Sequence, residues 1–147
     1  MLNNILSGLG SASLLIAMVI TSARADYIPS CSVPNGVSSA SLQAGAPPAL
    51  LAALKEHVGD IAAPGTAFDA TDVVVTGRSR RLIFVWNVGR RWIVATEHGG
   101  RGYNDPIFAY DLSQDDRTAT LVQERIAFPG TVCSIASSLL SFEPPKP

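Results

Sequence analysis

Histidine and cysteine are scarce, with two of each in 147 residues, at His57, His98, Cys31 and Cys133. Neither cysteine has a histidine or a second cysteine at ligand spacing, so no metal site is expected and no cofactor is implied. A formal net charge of −1 removes the electrostatic case for nucleic acid as a partner. Lysine is almost missing as well, and the positive charges are nearly all arginine. No internal repeat occurs. The G-x-G-x-x-G spacing of a dinucleotide site is also absent.

Charge is missing locally, too. From Met1 to Ala23 no side chain is ionisable to a full charge, Leu14 to Ile20 form an apolar core, and Ala23-Arg24-Ala25 fits a small-x-small cleavage pattern. Residues 1–25 read as a signal peptide cleaved before Asp26, which sends the protein to the periplasm or the medium. The n-region departs from the usual pattern in having no Lys or Arg. An uncleaved anchor is the alternative, but the apolar run is short for a spanning helix, so no membrane contact is expected after cleavage. Cys31 lies eleven residues beyond Ile20, too far for a lipoprotein. In an oxidising compartment Cys31 and Cys133 are expected to pair with each other. About 120 residues remain, enough for one domain with a real core.

The densest pattern runs from Arg81 to Leu112. Arg81 to Val88 and Arg91 to Glu97 are rich in β-branched and aromatic residues and flank Gly89, which predicts a hairpin. A three-residue loop Asn87-Val88-Gly89, with Gly89 left-handed, sets Phe84 across from Trp92 and Leu82 across from Val94. Trp86 joins that face, and Ile83, Val85, Ile93 and Ala95 take the other. The bulkier face is expected to pack on a helix, which assigns both tryptophans to the core in preference to an exposed sugar-stacking platform. A slip of one residue would exchange the faces. Arg78, Arg80, Arg81, Arg90 and Arg91 read as a solvated rim that blunts edge pairing.

Residues 26–46 are rich in Ser, Pro, Gly and Ala and read as an irregular arm. Pro48 opens a helix to Val58 with Leu50, Leu51, Leu54 and Val58 on one stripe, and Gly59 stops it. Asp72 to Thr76 reads as a strand, as do Pro106 to Leu112 and Thr118 to Ile126. The gaps are too short for crossover helices, so the sheet is an antiparallel meander. Thr131 to Leu140 is a candidate short helix, and 143–147 a disordered tail. The fold class is therefore α+β over 47–142. One amphipathic helix packs on a four- to five-stranded antiparallel meander, and the ends are joined by Cys31–Cys133.

Candidate chemistry concentrates in Glu97-His98-Gly99-Gly100-Arg101-Gly102-Tyr103-Asn104-Asp105, where three glycines occupy four positions. Such a loop can expose backbone N–H groups, either to bind an anion or to lie flat on a partner. His98, Gly100, Arg101, Gly102, Tyr103, Asn104 and Asp105 are the candidate contact residues. The competing reading is a turn in which Asn104 and Asp105 make local bonds and Tyr103 covers the sheet end. No catalytic residue is assigned: consecutive strand residues point to opposite faces, so Glu97 and His98 do not converge. His57 falls on the polar side of the helix.

Gly99-Gly100-Arg101-Gly102-Tyr103 resembles the Ser-Gly-x-x-Tyr loop of bacterial periplasmic lysozyme inhibitors, with Gly99 in place of the serine. That resemblance covers five residues and implies a small, exported, disulfide-bonded β-protein whose loop enters an enzyme cleft; the helix at Pro48 to Val58 departs from their barrel. The leading expectation is a monomeric cell-envelope binding or inhibitor protein that meets a protein partner through this loop. A small-ligand or glycan-binding module comes second, and a small hydrolase using His98 third.

Overall fold

The computed structural model describes residues 29–71 and 76–143. The signal-peptide reading, most of the expected Asp72 to Thr76 strand, and the last four residues of the tail lie outside the described residues.

Eight elements follow in order: β1 (Ser38–Ala40), α1 (Pro48–Val58), β2 (Ile61–Ala62), β3 (Arg80–Val88), β4 (Arg91–His98), β5 (Asp105–Leu112), β6 (Ala119–Ala127) and α2 (Val132–Leu140). Strands β3 to β6 form the expected antiparallel meander. Two short strands share the outer edge of β3: β1 runs antiparallel beside Val85–Asn87, and β2 runs parallel beside Arg80–Arg81. β1 thus gives three residues of order to an arm that composition alone marks as irregular.

Helix α1 forms for the reasons its sequence carries. Pro48 occupies the first turn, where its missing N–H costs nothing. At the other end Gly59, at φ 77°, donates its N–H to Lys55 O at 3.0 Å. Leu50 and Leu54 are its buried residues. They meet Leu82, Val85, Trp92, Val94 and Phe108 on one face of the sheet.

The second face is covered as well. Val132, Ala136 and Leu139 of α2 pack on Trp86, Ile93, Ala95, Ile107 and Ala109. The sheet is therefore a middle layer between two helices, which explains why β4 is buried from Trp92 to Glu97 without a polar side. Each large apolar side chain buried this way contributes about 1.5–3 kcal/mol.

The expected hairpin register is corrected by three residues: Asn87, and not Phe84, lies across from Trp92. Val88 pairs with Arg91 across a two-residue loop, Gly89–Arg90, with Gly89 at φ 55° in its first position. Trp86 consequently faces Ile93, and Phe84 faces Ala95. A bulge between Leu82 and Phe84 puts Ile83 and Phe84 on the same side, where Phe84 stacks on Trp86 at 4.3 Å. The tryptophans thus serve opposite cores, Trp92 under α1 and Trp86 under α2.

The arginine rim also needs correction. Arg81 is buried. Arg91 pairs with Asp111 and donates from Nη1 to Leu139 O at 2.8 Å and Phe142 O at 2.7 Å, satisfying carbonyls at the C-terminal end of α2. Cys31 and Cys133 form the expected disulfide, tying the arm ahead of β1 to the first turn of α2. Among the described residues no helix is long and apolar enough to cross a membrane.

Candidate functional site

At one end of the sheet β4 runs into β5 through the glycine-rich loop. Its arms close where His98 N donates to Asn104 O at 2.8 Å, and Asn104 Nδ2 donates to Gly102 O at 2.6 Å. Gly100 and Gly102 adopt φ of 90° and 80°, which only glycine tolerates without strain. Gly99 has a different role. A Cβ there would stand 2.3 Å from Asp69 O and 2.5 Å from Ala70 Cα, so the loop presses against the 69–70 backbone. Gly99 N and Gly100 N donate to Ser79 O and Ala70 O at 3.0 and 3.1 Å.

Beneath the loop sits a buried polar cluster. The register that pairs Ala95 with Ile107 and His98 with Asn104 sets Glu97 across from Asp105 on one face. Arg81 lies opposite Glu97 on the other flank and donates to Glu97 Oε2 from Nε at 2.9 Å and from Nη2 at 2.6 Å. The same guanidinium stacks over Phe68 at 4.7 Å. Glu97 Oε1 accepts the Tyr103 hydroxyl at 2.5 Å. Glu97 thereby fastens the tip of the loop to a cation anchored on β3.

Asp105 has no such help. It is 1% exposed, and its Oδ2 is buried without a hydrogen-bond partner. Burial first, and the Glu97 carboxylate second, push its carboxyl up to about 6. Burial and the bond to Glu97 likewise raise the Tyr103 phenol far above its usual range. At about 1.4 kcal/mol for each tenfold change in proton affinity, the rise at Asp105 from 3.8 corresponds to about 2–3 kcal/mol. The folded state holds this proton more tightly than the unfolded chain. Stability therefore falls as pH rises from about 4 to about 6, and the cost is complete above that. Asp105→Asn should stabilise the protein by about 2–3 kcal/mol at pH 7.5 and by little at pH 4, as read by urea denaturation. Equal stabilities of the two proteins at pH 7.5 would contradict this.

The candidate contact residues separate into two groups. His98, Gly100 and Arg101 border an open depression of about 350 Å³ together with Asp69, Ser79 and Gly99. Arg101, Gly102 and Tyr103 face outward, whereas Asp105 is wholly buried and acts from below. Burial, then the Arg80 guanidinium, holds the His98 imidazole below its ordinary value. Among the described residues no side-chain hydrogen bond joins the His98 imidazole to a hydroxyl or carboxylate. Among the described residues no group of three or more potential ligands gathers for a metal ion. The tryptophans, 1% and 6% exposed, offer no stacking platform.

Comparison with protein families, characterised proteins and solved structures finds no match. The site is therefore read from its own geometry. Arg81, Glu97 and Gly99 are participants that the set of candidate contact residues left out. Arg81 and Glu97 are 16 positions apart, and only the strand register brings them together. Gly99 was legible as a glycine, but not as a point of close approach.

Proposed function

We propose that this chain is a small exported cell-envelope protein of binding or inhibitor type that meets a protein partner through the loop from His98 to Asp105. The observation that carries the reading is the way the loop is held. Tyr103 is fastened to Glu97, Gly99 lies against the 69–70 backbone, and Arg101 and Gly102 project outward. A loop fixed before binding loses little conformational entropy when it docks, which supports recognition of a partner. The disulfide and the leader-like N-terminus agree with an oxidising compartment.

Capture from cell-envelope extract on the immobilised protein tests the reading. Arg101→Ala should weaken recovery of the partner by at least about tenfold, the effect of losing one central contact. Tyr103→Ala should do the same, while Tyr103→Phe, which keeps the ring, should fall between. Undiminished capture by Arg101→Ala and Tyr103→Ala would place the binding surface elsewhere.

A further inference from the structure

Polar groups that the loop does not use gather beneath α1. An open depression of about 380 Å³ lies between the second half of α1 and strands β5 and β6, lined by Ala53, Glu56, His57, Tyr110, Ala119 and Leu121. Tyr110 is 1% exposed, and its hydroxyl is buried with no hydrogen-bond partner. A hydroxyl placed so deep normally finds one. Glu124 stands close by. His57 Nε2 pairs with its Oε2 at 3.3 Å, and the His57 ring meets Phe108 edge-on at 5.5 Å, which fixes the imidazole over the site. Burial, and then the Glu124 charge, push the Tyr110 phenol up to about 12, so the hydroxyl is neutral and within electrostatic reach of that carboxylate.

We propose that this depression binds a small primary amine, its ammonium group received by the Tyr110 hydroxyl oxygen and the Glu56 and Glu124 carboxylates. An ammonium group has three donors and no acceptor, which matches three oxygens. Two carboxylates repel an anion and favour a cation over a neutral hydroxyl compound. The nearby Lys55 is engaged with Asp60 at 3.6 Å, so among the described residues no cation pairs with Glu56, while Glu124 keeps its contact with His57. Ala53, Ala119 and Leu121 supply the apolar wall for a short alkyl chain. The site shares no residue with the glycine-rich loop and stands whether or not the loop binds a protein.

The test is a titration of the ¹⁵N-labelled protein at pH 8 with n-butylamine, 1-butanol and butyrate in parallel. Butylamine should shift the amide resonances of Ala53, Tyr110 and Leu121 saturably, and the alcohol and the acid should bind at least about tenfold more weakly. Tyr110→Phe should weaken the amine by about 3- to 10-fold, the effect of one hydrogen bond. Its melting temperature serves as the control for folding. Glu56→Gln/Glu124→Gln should abolish saturation. No saturable shift with the amine, equal binding of butanol, or unchanged affinity in a folded Tyr110→Phe would each overturn the proposal and leave a depression that holds only water.

Discussion

Glu97→Ala should cost about 3–5 kcal/mol, the penalty for stripping the partner from a buried charge. Arg81 and Glu97 have side chains only 6% and 9% exposed. With the carboxylate gone, the guanidinium stays in the interior with its Phe68 contact but without its two short bonds to Glu97. Asp105 moderates the loss, because its ionised carboxyl lies across from position 97 and repulsion between the two acids disappears. The effect therefore belongs at the lower end of the range at pH 7.5 and at the upper end near pH 5, where Asp105 is protonated and cannot serve as counter-charge. Set against a typical total stability of about 5–15 kcal/mol, the loss threatens folding at 37 °C. Denaturant curves at both pH values check it. Arg81→Met/Glu97→Met removes both charges and should cost less than the two single changes together, since neither ion is left stranded. A loss under about 1 kcal/mol for Glu97→Ala would show that water reaches the guanidinium and the cluster is not a true interior pair.

The same change releases Tyr103, whose hydroxyl has no other recorded bond. Loop geometry and interior electrostatics are thus one system. The outward residues are placed by Glu97, and Glu97 is placed by Arg81. This coupling ties the proposed binding surface to a measurable stability.

How far the sequence reveals this arrangement depends on the range of each interaction. Helix α1 is legible because its signals are local: Pro48 at the start, leucines at helical spacing, Gly59 at the end. The meander is legible from short gaps between β-rich runs. The disulfide follows from having only two cysteines. The hairpin register is not legible, because a two-residue and a three-residue loop both place a glycine at positive φ. The choice between them moves Trp86 to the opposite core. The bulge at Ile83 is similarly silent, since an extra β-branched residue in a β-rich run leaves no mark. The register differs by three residues and the bulge by one. Together they hid the second helix-covered face and the alignment of Arg81, Glu97 and Asp105, which reads from sequence as charges at strand ends. The Tyr110 depression was hidden for the same reason, as it needs α1 laid across β5 and β6.

Replacing Cys31 and Cys133 by serine should remove about 4 kcal/mol, within the usual range of about 2–5 for a native disulfide in a small domain. The bond joins residues 102 positions apart, so its absence frees nearly the whole described chain in the unfolded state. In the chain-entropy account a loop of that size is worth about 4.7 kcal/mol at 25 °C. The native structure says where the folded protein should feel the loss. The arm after Cys31 is held by β1, three residues at the sheet edge of which Ser38 and Ser39 are exposed and Ala40 half-buried, whereas α2 keeps its apolar face on Trp86 and Ile93 and its last carbonyls on Arg91. Hydrogen exchange in the serine variant should therefore quicken at Ser38–Ala40 while α2 stays protected relative to the lowered global stability. Exchange that quickens first in α2 would mean that the helix, and not the arm, depends on the cross-link. A stability loss below about 1 kcal/mol would mean that the unfolded chain is already compact enough for the constraint to matter little.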